Sequence, residues 1–318
     1  MGLGLKAGNS LDNPNQNIGE SVSIIEKAAG ELGKEAASKD KSSSDTGVPL
    51  HKPLSGDEPP QDKASQILSS GRGSTAKRVA LDLAKMRQYG IVTPEEGRTR
   101  IAEQVRVIKR PLLTNAFGKG PAKIKNGNLI MVTSALAGEG KSFCTVNLAI
   151  SIAMEMDRTV LLVDADVARP SVPRILGLGP ERGLLDILLD DRLELADVLI
   201  KTNIEKLTLL TAGTRHSHST ELLASQSMGE LLTELAERYS DRVVIFDSPP
   251  LLLTSEARVL ATQMGQIVLV VEAERTSQQA VKETLRQIES CDVVNLIYNK
   301  AGSFSGGEYY GYYYHESP

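Results

Sequence analysis

An apolar run, Leu129 to Thr133, leads into Ser134-Ala135-Leu136-Ala137-Gly138-Glu139-Gly140-Lys141-Ser142, and a helical pattern follows from Phe143 to Met154. Strand, glycine-containing loop, Lys-Ser and helix is the order in which a chain cradles a phosphate. Gly138 and Gly140 let backbone N–H groups turn inward around phosphate oxygens, while the helix N-terminus adds partial positive charge. A lysine at position 141 reaches β- and γ-phosphates, and a serine at 142 ligates Mg2+. The candidate nucleotide-binding set is therefore Gly138, Glu139, Gly140, Lys141, Ser142 and Phe143. Ala135 stands where the common pattern has its first glycine, a permitted variant.

Two further signals sit at the ends of apolar runs. In Leu161-Leu162-Val163-Asp164-Ala165-Asp166 two carboxylates lie two residues apart, a pattern that can hold a metal ion or accept a proton from an attacking hydroxyl. It is equally compatible with a helix cap or a solvated turn. Val243-Val244-Ile245-Phe246 ends on Asp247, the position expected of an acid that supports Mg2+ directly or through water. Asn299-Lys300 follows the last apolar run and could contact a nucleotide base; no Asp follows at the spacing a guanine reader uses, so ATP is preferred. His216 and His218 have no Cys or further His nearby, which favours a solvated loop over a zinc site.

These residues need a scaffold. Apolar runs at Leu129 to Thr133, Thr159 to Val163, Leu207 to Leu210, Val243 to Phe246, Ile267 to Val271 and Val293 to Ile297 alternate with helix-length amphipathic segments. Near-continuous apolar strands separated by helices predict an α/β fold of the P-loop NTPase kind, its mostly parallel sheet covered by helices on both faces. Ligands of such sheets bind beyond the carboxyl ends of the strands, where the unusual residues lie. This nucleotide-binding domain is expected over 128–302. Residues 79–127 read as a helical segment: Val79, Leu81, Leu83 and Met86 precede a Gly90 stop, and Pro94-Glu95-Glu96 opens a helix running towards Lys109. Residues 1–78 are too polar to bury a core, and read as a flexible arm with one short helix from Ser21 to Leu32. Residues 303–318 form a tail.

The bulk properties exclude some partners. A net charge of -4 gives no electrostatic case for nucleic acid. No run approaches the roughly 18 apolar residues of a membrane span, and no apolar signal core opens the chain, so a soluble cytoplasmic protein is expected. Lys6 stands where N-myristoylation wants Ser or Thr. Cys144 and Cys291 read as small buried hydrophobes in a reducing compartment.

Taken together, GEGKS, DAD with a nearby Arg-Pro, and FDSPP resemble the Walker A, A′ and B motifs of bacterial tyrosine kinases. Glu221-Leu222-Leu223-Ala224-Ser225, the run Ile108 to Leu113 and the tyrosine-rich end strengthen the resemblance, which covers roughly Val79 to Tyr314. The likeness is to the tyrosine autokinases of exopolysaccharide loci, in the branch associated with PEP-CTERM sorting. It implies ATP and Mg2+ as cofactors, tyrosine as acceptor, and control of polysaccharide synthesis or export. By position it implies catalytic roles for Lys141, Asp164 and Asp166, metal ligation by Ser142, Asp164 and Asp247, and nucleotide contacts that include Asp247 and Asn299. Ala168 departs from the family's basic residue at that point, with Arg169 as the substitute.

The tail supplies acceptor candidates in Tyr309, Tyr310, Tyr312, Tyr313 and Tyr314, set among glycines. Glu103, Arg106 and Lys109 resemble the family's E-x-x-R-x-x-R assembly motif with Lys in the last place, and their spacing puts them on or near one helix face. The resemblance thus implies a homo-oligomer that phosphorylates itself in trans. It also implies a membrane adaptor of the chain-length regulator type holding the protein peripherally at the inner membrane. The competing reading is a non-kinase P-loop ATPase switch of the partitioning or division type. Those proteins place a lysine early in the loop, where this chain has Leu136.

Overall fold

The computed structural model describes residues 77–302 apart from 96, 98, 119–123, 239 and 240. The chain divides into residues 1–66 and 67–318, and the described residues all belong to the second unit. The expected arm helix at Ser21 to Leu32 and the tail tyrosines lie outside the described residues.

Eight strands form one sheet: β1 (Lys77–Val79), β2 (Leu129–Ser134), β3 (Thr159–Asp164), β4 (Ile200–Thr202), β5 (Leu207–Leu210), β6 (Arg242–Asp247), β7 (Gln266–Glu272) and β8 (Val294–Asn299). Their spatial order is β1-β4-β5-β3-β6-β2-β7-β8. All neighbours run parallel except β4 and β5, which are antiparallel. Every residue of β2 is buried, and β3 and β6 are buried along all but their first residue. That is the consequence of helices on both faces.

Alternation along each strand divides the core in two. Leu129, Met131, Leu161, Val163, Val244 and Phe246 face α5 (Leu184–Leu189), α6 (Leu195–Val198), α7 (Ser219–Leu223), α8 (Gln226–Glu237), α9 (Ser255–Ala261) and α10 (Gln278–Gln287) or the segments beside them. Ile130, Val132, Leu162, Val243, Ile245 and Val268 face α1 (Leu83–Gln88), α2 (Arg100–Phe117), α3 (Lys141–Ala153) and α4 (Val172–Leu176). Each such side chain taken fully out of water contributes roughly 1.5–3 kcal/mol before the entropy of ordering it is counted. The two clusters fix the strand register, and the register sets the strand ends side by side: Asp164 and Asp247 are direct partners on β3 and β6.

The segment before β2 departs from its expected form. Val79 belongs to a short strand, and β1 and β4 together extend one edge of the sheet with reversed direction. Both are three residues long, too short for an apolar periodicity to mark them. Helix α2 begins at Arg100 rather than Pro94, because the Thr99 hydroxyl caps it by accepting the Ala102 amide at 3.2 Å. It then runs through Pro111. Leu112 is 1% exposed and its carbonyl accepts from Gln266 Nε2 at 3.0 Å, so packing beyond the proline outweighs its local cost.

Candidate active site

The loop between β2 and α3 closes over the carboxyl ends of the central strands. Gly138 and Gly140 take φ of +89° and +95°, the left-handed region that glycine enters without penalty, and Gly140 stands as the N-cap of α3. Lys141 and Ser142 open that helix. The Lys141 ammonium lies 2.7 Å from Asp166 Oδ2 and 3.4 Å from Ser142 Oγ. Ser171 Oγ donates to Ser142 Oγ at 2.6 Å and also lies 3.3 Å from Asp247 Oδ2. Thr145, one turn into α3, donates from Oγ1 to Asp247 Oδ1 at 3.1 Å. Lys141, Ser142, Asp164, Asp166 and Asp247, separated by up to 106 residues in sequence, thus meet at one end of the sheet.

The two acids of the DAD motif do different work. Asp164 is fully buried, and its carboxylate accepts three backbone amides, from Asp166 at 3.2 Å and from Ser171 and Val172 at 3.0 Å each. It shapes the loop after β3. Asp166 is 4% exposed and is the acid that faces Lys141. Burial and the neighbouring Asp247 carboxylate push Asp164 up to about 8, against the pull of the amides. Burial likewise raises Asp247, opposed by Lys141 and by the hydroxyls of Ser142 and Thr145. Cys144 is half-buried, its thiol pushed up to about 12 by burial and by Asp247, and is inert as a nucleophile.

Three acids crowded in a buried place with one ammonium among them oppose one another's ionisation, the condition a divalent cation relieves. Among the described residues no group of three His, Cys, Asp or Glu side chains could hold a metal by itself. Mg2+ needs no such cage: it takes one or two carboxylates and completes its shell with phosphate oxygens and water. The donor pair of Ser142 and Asp247 fits a cation that arrives with a nucleotide. Asp164, its oxygens engaged by amides, is less open to a metal than its position in sequence suggests.

Several expected residues take other duties. The Glu139 side chain is 2% exposed and turns back into its own loop, accepting the Leu136 amide at 2.7 Å and the Thr276 hydroxyl. Asn299 Nδ2 donates to the Glu139 carbonyl at 2.8 Å, a structural contact to the loop. Phe143 packs into the core cluster beside α2 rather than standing free. Arg169 is exposed, its backbone amide bonded to Asp166. Sequence reading missed Thr145, Ser171 and Thr276, and read Lys300 towards a nucleotide base, whereas its ammonium donates to the Gly138 carbonyl; Thr145, one turn beyond Lys141 on the face of α3 that meets β6, is the one its spacing could have disclosed.

The assembly motif requires a correction at Lys109. Glu103 and Arg106 form an exposed ion pair at 2.6 Å. Lys109 lies about 120° around the helix from Glu103, and it is buried: Nζ donates to the Ser151 carbonyl at 2.7 Å and pairs with Glu155 at 2.5 Å. It caps the last turn of α3, where carbonyls lack helical partners and the helix dipole favours a cation. His216 and His218 are exposed, with ring centroids 5.7 Å apart.

The sequence and the fold are both similar to those of known proteins. Residues 125–299 match the family described as ParA: NUBPL iron-transfer P-loop NTPase. Tyrosine-protein kinase YwqD of Bacillus subtilis is 30% identical over 228 residues, which is 71% of this chain and 92% of that protein. Succinoglycan biosynthesis transport protein ExoP of Rhizobium meliloti is 31% identical over 185 residues, 57% of this chain and 23% of the much longer relative. The crystal structure of the chimerical protein CapA2B2 superposes with a TM-score of 0.55 at 27% identity, covering 67% of this chain and 97% of that one. The chain belongs to the ParA-like P-loop NTPases and, among them, to the bacterial tyrosine kinases.

Proposed function

We propose that the chain is an ATP-dependent protein-tyrosine kinase that phosphorylates its own C-terminal tyrosines and thereby regulates exopolysaccharide synthesis or export. The observation that carries this reading is the Lys141 ammonium held 2.7 Å from Asp166, at the mouth of a glycine loop and above the buried carboxylates of β3 and β6. The kinship with YwqD and ExoP supports the acceptor and the polysaccharide context.

The bound Mg-ATP would supply the transferable phosphoryl group and a cation that neutralises its oxygens. Lys141 would leave Asp166 to meet the phosphate charge, and Asp166 would be released to accept the proton of an incoming tyrosine hydroxyl. Ser142 and Asp247 would hold the cation, with Thr145 and Ser171 keeping Asp247 oriented. Asp164 would keep Asp166 in place by anchoring three amides of the following loop.

Acceptors would be Tyr309, Tyr310, Tyr312, Tyr313 and Tyr314 of a neighbouring copy. Copies would assemble through the exposed Glu103–Arg106 surface of α2, with Lys109 taking no part. No helix among the described residues is long and apolar enough to cross a membrane, so peripheral attachment through a chain-length regulator would bring the kinase to the export machinery. A mixing experiment tests the reading. Chains carrying Lys141→Met and an intact tail are incubated with Mg-ATP and chains that have an intact site but Phe at all five tail positions. Phosphotyrosine on the Lys141→Met chains is expected; its absence from every chain contradicts the kinase assignment.

A second reading, a P-loop ATPase switch of the partitioning or division type, has one observation in its favour, the match to the ParA-named family of P-loop NTPases. Under it the same site hydrolyses ATP to change partner affinity, and no tyrosine is modified. Leu136, 39% exposed at the place where such switches carry a lysine, speaks against it.

A further inference from the structure

The phosphate-binding loop is held from outside by a bracket of residues from the ends of β7 and β8. Lys300 Nζ donates to the Gly138 carbonyl at 2.7 Å, and Asn299 Nδ2 donates to the Glu139 carbonyl at 2.8 Å. Glu272, at the end of β7, holds the Lys300 ammonium at 3.3 Å. Four residues on, the Thr276 hydroxyl donates to Glu139 Oε1, while Glu139 Oε2 accepts the Leu136 amide. Thr276 Oγ1 in turn accepts the Glu272 amide at 3.2 Å, which ties both arms of the bracket to one turn. Lys300 itself adopts φ of +58°, a conformation costly for a residue with a Cβ and kept only where surrounding contacts over-determine it. At Gly140 a Cβ would overlap the Asn299 amide nitrogen, so that position is glycine for the approach of the bracket as well as for its own φ.

The bracket has a directional consequence. In a trans peptide the carbonyl of one residue and the N–H of the next point to opposite sides, and no cis bond occurs among the described residues. With the Gly138 and Glu139 carbonyls drawn towards Lys300 and Asn299, the N–H groups of Glu139 and Gly140 face the other way. Two outward carbonyls therefore mean two amides available to an anion, set before it arrives, so less ordering is left to be done on binding.

We propose that Lys300 and Thr276 are positioning residues of the phosphate-binding loop, presetting its amides for the β- and γ-phosphates of a nucleotide. The inference deepens the ATP-binding reading above and rests on it. Neither side chain is a core element: Lys300 is 45% exposed and Thr276 is half-buried, so their loss should leave the fold intact.

The test uses the full chain and a fluorescent ATP analogue with Mg2+, titrated into wild type, Lys300→Met, Thr276→Val and Thr276→Ser. Lys300→Met and Thr276→Val should each weaken binding about tenfold at unchanged Tm, with KM for ATP rising in step and kcat at saturating ATP nearly unmoved. Thr276→Ser, which keeps the hydroxyl, should bind as wild type does. Wild-type affinity in both Lys300→Met and Thr276→Val overturns the inference, as does a loss confined to kcat. Failure of the wild type to bind the analogue at all would instead sink the ATP reading on which it stands.

Discussion

Two clusters of charge lie on opposite ends of α3, and they are built on opposite plans. At the C-terminal end Lys109 meets Glu155 and the Ser151 carbonyl, and on the same flank Glu103 meets Arg106. Every charge there has its partner. At the N-terminal end Asp164, Asp166 and Asp247 are buried side by side, and only Asp166 has an ammonium partner, that of Lys141. Burial without neutralisation costs stability. A protein keeps such an arrangement where a ligand completes it, whereas at the other end Lys109 is fully engaged in fastening α2 to the end of α3. The difference teaches which charged residues should matter to activity and which to stability.

The contrast can be broken most sharply at Lys141. Lys141→Met should abolish tail phosphorylation, a loss of at least the roughly hundredfold to thousandfold that removal of a single transition-state charge partner brings, while the thermal melt stays that of a folded protein. Asp166→Asn should follow, with phosphoryl transfer down by about a hundredfold, the scale of a general base, and nucleotide binding kept. Asp164→Asn should behave differently. An amide cannot accept hydrogen bonds at both ends as the carboxylate does, so a lower Tm should accompany the loss of rate, measured by calorimetry beside the kinase assay.

A smaller effect of opposite sign is expected from Asp247→Asn. It removes a buried charge yet can still bond the Thr145 and Ser171 hydroxyls. In the absence of nucleotide and Mg2+ this variant should be more stable than wild type, by on the order of 1–2 kcal/mol or a few degrees in Tm, though inactive. The pH dependence supports the same point. Asp164 titrates near 8 in the folded chain, well above its ordinary 3.8. The native state therefore binds protons more tightly than the unfolded one, and the stability this confers is full below pH of about 4 and lost as pH rises through 8. Apo wild type should melt lower at pH 8.5 than at pH 6 for this reason, as measured by calorimetry at the two pH values. A flat apo profile would mean the carboxylates are not in conflict.

The smallest effects belong to the closed cluster. Lys109→Met should cost about 1–2 kcal/mol through the lost cap on α3, with activity retained. Glu103→Ala with Arg106→Ala should cost within about 1 kcal/mol, as exposed pairs do; light scattering then shows whether that surface holds copies together.

The difference between the clusters was partly legible in sequence. Strands β2, β3, β5, β6 and β7 showed themselves as continuous apolar runs, because burial on both faces leaves that mark, while edge strand β8 showed itself by an apolar run broken only at Asn295; Lys141, Ser142, Asp166 and Asp247 stood near the ends of the central runs. What sequence could not separate was Asp164 from Asp166: two carboxylates two residues apart look alike until backbone amides seven and eight residues downstream fold back onto one of them. Nor could a helical repeat tell that Lys109 points at a neighbouring helix end rather than at solvent. The bracket from Thr276 and Lys300 spans more than a hundred residues of chain and leaves no local pattern. Edge strands β1 and β4, three residues each, carry too few side chains to show a period.

The account's central claim is that the charge-deficient cluster and its loop form a Mg-ATP site whose product is phosphotyrosine on the chain's own tail. The most direct test incubates the purified full chain with Mg-ATP and locates phosphate by mass spectrometry. The account predicts phosphate on residues among Tyr309, Tyr310, Tyr312, Tyr313 and Tyr314 in wild type and on none of them in Lys141→Met alone. ATP consumed to ADP and inorganic phosphate by wild type, with all five tyrosines unmodified, would contradict it.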